Sequence, residues 1–147
     1  MQTMQQQRAK YALEAVETVV KRLEKKEKHD LIKASEYASY ASAFPAMIKM
    51  NGLGQAAAFY CSKGKGDDSK AYAYDTLYKT LSNWLAKKGQ PYEGLDLIKG
   101  ITEKEMPSYM QAQAEALMFL DWLKKFAKAY MPDEKNANKT SLQEIKS

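Results

Sequence analysis

Apolar and small side chains recur at intervals of three and four from about Thr3 to Lys26. Ala9, Ala12, Leu13, Val16, Val19, Val20 and Leu23 draw one stripe along a long amphipathic helix, with Thr3 as the candidate N-cap. Asp30 or Ser35 opens the next segment, in which Ala34, Tyr37, Ala38, Ala41 and Phe44 keep the helical period up to Pro45. Proline lacks a backbone donor and disfavours helix at the residue before it, so the pattern predicts a break at Phe44 and a short new helix from Pro45 to about Met50. Asn51-Gly52 reads as its stop. A helix follows from Leu53 to about Ser62, then a loop over Lys63-Gly64-Lys65-Gly66-Asp67-Asp68, with Asp68 or Ser69 as the next N-cap.

Residues Lys70 to Lys88 put Tyr74, Leu77, Tyr78, Leu81, Trp84 and Leu85 on one face, closed by Gly89, Pro91 and Gly94. Leu95 to Ile98 reads as one further turn or short helix. Thr102-Glu103-Lys104-Glu105 has the form of a capping box from which the long closing helix starts. That helix aligns Tyr109, Ala112, Ala116, Phe119, Leu120, Leu123, Ala127 and Tyr130, and Met110, Ala114, Leu117 and Met118 widen its apolar sector enough to place it centrally. Pro132 ends it. The expected architecture is all-α: a compact helical bundle of about five to seven helices with long first and last helices, one domain over residues 1–131 and a polar, flexible tail over 132–147.

Composition narrows the class. The 147 residues are 45% hydrophobic and 28% charged, the proportions of a single folded domain. Seven Gly and four Pro are too few for the frequent turns of a sandwich or barrel. The lone Cys61 permits neither an internal disulfide nor a cysteine-based zinc site, and suits a reducing interior. His29 is the sole histidine, in a charged run, which leaves a Ser/His/Asp or Cys/His triad no other member to build on. No window approaches a membrane span and Met1 to Gln7 lacks the apolar core of a signal peptide, so a cytoplasmic protein without membrane contact is expected.

The net charge is +5, mildly basic. Residues 1–63 hold 10 basic and 6 acidic groups, 64–131 hold 10 and 9, and 132–147 hold 3 and 3, which puts the excess in the first half. Acid-free windows collect Lys49, Lys63 and Lys65; Lys79, Lys87 and Lys88; and Lys124, Lys125 and Lys128, lysines read as unpaired and open to phosphate, or else simply complementing helix C-termini. Glu17/Lys21 and Glu24/Lys28 stand at the spacing that supports an exposed helix.

Catalytic chemistry is sparse. Asp67-Asp68 and Glu103/Glu105 fit caps and helix first turns. Gly52-Leu53-Gly54-Gln55 lacks the Lys-Ser/Thr of a phosphate-binding loop. Lys63-Gly64-Lys65-Gly66 is the better anion candidate, with exposed amides and two ammonium groups, its alternative being a flexible loop. The ten tyrosines invite base stacking, but Tyr37/Tyr40 and Tyr74/Tyr78 follow the core period and read mainly as bundle-rim residues. From the residues alone the chain reads as an all-helical adaptor, with nucleic acid as one candidate partner, a modest basic surface, and no catalytic residue, metal or cofactor expected.

The run from Pro45 to Phe59, PAMIKMNGLGQAAAF, followed by Ser62-Lys63, resembles the central signature of the small helical subunit of type III-B CRISPR effector complexes, the Cmr module. Gln7-Arg8-Ala9 with Ala12 and Val16 resembles that family's opening helix, and Tyr109, Glu115-Ala116-Leu117, Phe119-Leu120 and Trp122 to Ala127 resemble its closing one, so the likeness spans about residues 5–130. It implies a helical, non-catalytic subunit that assembles in several copies beside the backbone subunits holding the guide. Its partners would be other subunits, copies of itself, and the backbones of guide and target RNA. Lys49 and Lys63, with Lys65 beside them, and Lys124 and Lys125 are the candidate nucleic-acid or subunit contacts. Arg8 matches the opening motif, with pairing to an acid such as Glu115 as its structural alternative. Pro45, Asn51, Gly52 and Trp122 read as turn and core residues. A reading of another class also stands: a free-standing helical protein-interaction adaptor without nucleic acid, docking through the wide apolar sector of the last helix.

Overall fold

In a computed structural model, residues 1–25 and 32–132 are described and form six α-helices and no strand among those residues. They are α1 (Met4–Lys25), α2 (Ala34–Asn51), α3 (Leu53–Lys63), α4 (Ser69–Leu85), α5 (Leu97–Glu103) and α6 (Met106–Tyr130). His29, Asp30, Lys28 and the tail beyond Pro132 lie outside the described residues. Thr3 caps α1 reciprocally with Gln6: the Gln6 amide donates to Thr3 Oγ1 at 3.1 Å and the Thr3 amide to Gln6 Oε1 at 2.8 Å.

The centre of the bundle is α6, which packs along α1 and α2 and also meets α3 and α4. It runs parallel to α1, since Arg8 meets Glu115 and Tyr11 meets Phe119, and antiparallel to α2, whose end at Gly52 lies against Tyr109 and Gln113. Ala12, Val16 and Val19 of α1 and Ala112, Ala116, Phe119, Leu120, Leu123 and Ala127 of α6 are buried, as the periodicity predicts. The sector is narrower than expected, however: Met110, Ala114, Met118 and Tyr130 are exposed, because only about half of α6 is covered by neighbours.

Pro45 does not break the chain. α2 is one helix through Phe44 and Pro45 to Asn51. Proline removes one bond, to the carbonyl four residues back, whereas Tyr37, Ala41, Phe44, Pro45 and Ile48 are all buried and the Phe44 ring stacks on Tyr60 at 3.8 Å. Burial of several large side chains, at about 1.5–3 kcal/mol each, outweighs the roughly 3 kcal/mol that an interior proline costs through the lost bond and its clash with the preceding turn. Gly52 then turns the chain with φ +89°, a conformation that costs a side-chain-bearing residue, and its amide closes α2 on the Ile48 carbonyl.

Other boundaries shift for identifiable reasons. α2 starts after Lys33, an extended residue without a side-chain cap, not at Ser35. α4 is capped by Asp68, which accepts from the Ala71 amide, and ends at Leu85 rather than Lys88. The short helix expected over Leu95–Ile98 is α5, and it absorbs Thr102 and Glu103: Thr102 Oγ1 donates back to the Ile98 carbonyl, so the supposed capping box is the end of one helix and not the start of the next. α6 instead begins after Glu105, with Pro107 in its first turn.

Six of the ten tyrosines are half-buried or exposed, as the rim reading expects, and four lie deeper. Tyr37, Tyr60 and Tyr92 are wholly buried. Tyr60 donates to the Tyr40 carbonyl at 2.6 Å, and Tyr78 donates to Asp96 while accepting from the Ile98 amide, which with Ser82 fastens α5 to α4. Burial pushes the Tyr92 phenol up to about 12. Its ring lies flat against Gly100, where an added Cβ would stand 2.3 Å from the ring. Gly100→Ala should therefore cost about 1–3 kcal/mol in urea unfolding, with Tyr92→Leu in the same chain recovering part of it.

Candidate nucleic-acid interface

Arg8 is not a surface cation. Its Nε and Nη2 donate to the two carboxylate oxygens of Glu115 at 2.6 and 2.9 Å, with side-chain exposures of 11% and 10%. Trp84 Nε1 donates to the same carboxylate at 3.1 Å, which completes a buried junction of α1, α4 and α6. The hydrogen bond to Glu115 raises the already high Arg8 pKa, opposed by burial.

Gly52-Leu53-Gly54-Gln55 is likewise occupied. The Leu53 amide donates to Gln113 Oε1 at 2.9 Å and the Gly54 amide to the Tyr109 hydroxyl at 2.9 Å, so α6 side chains cap α3. The Lys63-Gly64-Lys65-Gly66 turn also spends backbone donors inward, Gly64 to Tyr60 and Lys65 to Ser62. The exposed amides expected of an anion loop are absent at these two residues, and only the ammonium groups point to phosphate there.

The candidate lysines fall into two groups at opposite ends of the α2–α3 hairpin. Lys49, near the end of α2, and Lys124 and Lys125 on α6 surround Asp121: Lys125 lies 3.0 Å and Lys124 3.8 Å from its carboxylate. The Lys125 hydrogen bond, then the charges of Lys125, Lys124 and Lys49, hold the Asp121 carboxyl below its usual range against the opposing effect of burial. Lys63 and Lys65 stand about 16 Å along the hairpin, at the end of α3. Lys63 sits over the Phe59 ring at 5.6 Å, beside a groove of about 480 Å³ lined by Met47, Asn51, Gln55 and Phe59.

The acid-free windows therefore misjudged two sets of lysines. Lys79 pairs with Asp75 at 2.8 Å, and Lys124 and Lys125 share Asp121, in each case an acid one turn upstream and just outside the window. Lys87 lies over the Tyr11 ring at 4.5 Å. Asp121 itself was legible, standing three and four residues before the two lysines. Asn51 is the exposed last residue of α2, and Trp122 is half-buried, stacked on Phe126, rather than a core residue. Lys70 was missed, and it borders a cavity of about 300 Å³ with Lys63 and the stacked rings of Tyr40 and Tyr74.

Among the described residues, no group of three or more His, Cys, Asp or Glu is placed to hold a metal ion, and no helix is long and apolar enough to cross a membrane. The class is thus an all-α bundle whose interior polar groups tie its own helices together and whose candidate lysines lie in two groups. The profile of the family described as CRISPR-associated protein (Cas_Cmr5) matches residues 4–130, nearly the whole described bundle. A curated relative, CRISPR system Cmr subunit Cmr5 of Thermus thermophilus, is 30% identical over 98 residues, 67% of this chain and 77% of that protein. The chain belongs to the Cas_Cmr5 family.

Two outcomes are expected here. Lys125→Met should raise the Asp121 titration midpoint toward the ordinary carboxylate range, read by carbon NMR. Because the folded-state value is lowered, Asp121 contributes stability above the unfolded carboxylate pKa and loses it as pH falls through the folded one. Arg8→Ala should cost about 3–5 kcal/mol in urea unfolding by leaving a buried carboxylate unpaired, and Arg8→Met with Glu115→Gln should cost less than Arg8→Ala alone.

Proposed function

We propose that the chain is the small, non-catalytic subunit of a type III-B CRISPR ribonucleoprotein. It assembles there in several copies beside the subunits that hold the guide, and acts in antiviral defence in the cytoplasm. The family match over residues 4–130 carries this reading. Residues 1–131 serve as one domain, with 132–147 as its tail. Lys49, Lys124 and Lys125 form one contact to RNA phosphates, and Lys63 and Lys65 another. A duplex held by its backbone needs cations without sequence-reading geometry, and these lysines, exposed or half-exposed, supply that.

Two sparse groups make weak individual contacts, on the order of 10⁻⁴ to 10⁻⁶ M for non-specific binding, and become effective when copies are arrayed along one RNA. Asp121 tempers its group by neutralising part of the charge. The exposed methionines Met106, Met110 and Met118 on α6 favour a protein contact as well. That same edge is what the second reading, a free-standing adaptor without nucleic acid, would use.

Replacing Lys49, Lys63, Lys65, Lys124 and Lys125 with Gln should reduce RNA retention by the reconstituted complex and flatten its salt dependence by about 0.7–0.9 per lost contact, with helicity and melting little changed. Asp121→Asn should strengthen retention. Unaltered retention in the lysine variant overturns the assignment of these residues. Affinity purification from the host that yields a protein partner but no guide RNA favours the adaptor.

A further inference from the structure

The cavity beside the α3–α4 turn carries chemistry that backbone contact does not require. Its lining is Tyr40 from α2, Lys63 at the end of α3, Asp68 before α4, and Lys70, Ala71 and Tyr74 on α4. We propose that it holds one unpaired nucleotide of single-stranded RNA, with the base against Tyr40 and its phosphate between Lys63 and Lys70. This deepens the RNA-contact reading above and rests on it.

Two ammonium groups alone would serve a duplex as well as a single strand. The tyrosines decide the matter. Their rings stack with centroids 4.1 Å apart and 9° between planes, and Phe59 and Tyr60 meet Tyr74 edge-on at 85° and 86°. Tyr74 is thus fixed from behind, and Tyr40, with no other ring contact among the described residues, forms the outer leaf of a preorganised stack. Both are half-buried, in contrast to the wholly buried Tyr37 and Tyr60. Duplex bases keep their faces against one another, so an aromatic leaf selects a base that has left its stack.

The remaining groups suit a nucleotide too. Asp68 Oδ1 is tied to the Ala71 amide, which leaves the second oxygen to accept from a base's exocyclic amino group. At about 300 Å³ the cavity stands near the lower bound of roughly 300–1,000 Å³ typical of ligand sites, a scale suited to one nucleotide and not to a helix.

The test compares a single-stranded RNA with an RNA duplex of equal phosphate number, both titrated against the full chain at low salt. Tyr40→Leu should weaken single-strand binding about tenfold and leave duplex binding and the salt slope unchanged. Tyr40→Phe, which keeps the ring, should bind like the unaltered chain; the Tyr60 hydrogen bond goes to the Tyr40 carbonyl and survives both changes. Lys63→Gln with Lys70→Gln should weaken both RNAs and flatten both slopes. A 4-thiouridine single strand should cross-link at Tyr40 in the unaltered chain. Equal single-strand affinity in Tyr40→Leu and the unaltered chain, or equal loss on both RNAs, overturns the nucleotide site while RNA contact stands. If the unaltered chain binds neither RNA, the RNA-contact reading falls with it.

Discussion

A single buried carboxylate organises this bundle. Glu115 on α6 accepts both arms of the Arg8 guanidinium and the Trp84 indole N–H, and so joins α1, α4 and α6 at one point. Such a group is costly unless every partner is present, because a charge removed from water must be repaid by geometry. Its arrangement ties Arg8 to Glu115 and so pins α1 to α6 at this point. One turn away, Gln113 and Tyr109 do the corresponding work for α3 by accepting its first amides. α6 thus acts through polar side chains as well as its apolar stripe, and reaches four other helices.

That economy has a functional consequence. Of the features that look like ligand-binding chemistry in the sequence, an early arginine and the Gly52–Gln55 segment are consumed inside the fold, and the Lys63–Gly66 turn gives up two of its amides there. What is left for a polyanion is lysine: one group moderated by Asp121, and another on the aromatic edge of α3 and α4. On the proposed reading, these groups would meet an RNA by charge and by stacking and leave the reading of sequence to base pairing.

Most of the helices were legible because apolar residues at three and four survive any local ambiguity; Val16, Leu77 and Leu120 are buried as their spacing demands. The Arg8–Glu115 partnership was also visible as one of two alternatives for that arginine. Errors arose where a local rule met a tertiary one. Pro45 breaks isolated helices, yet here it is buried, as are Phe44 and Ile48, within one continuous helix. Thr102 fits a capping motif, yet its hydroxyl turns back to Ile98. For the site, charge windows found the lysines but not their state, since Asp75 and Asp121 lay one residue outside the counted span, and the cavity that brings Tyr40, Lys63 and Lys70 together joins three helices and leaves no linear trace.

The most direct test is to isolate the native assembly through a tag on this chain, irradiate it, and map RNA adducts by mass spectrometry. The account predicts co-isolated guide RNA and adducts on peptides containing Lys49, Lys63–Lys65 and Lys124–Lys125. An assembly whose other subunits carry RNA adducts while these peptides carry none would contradict it.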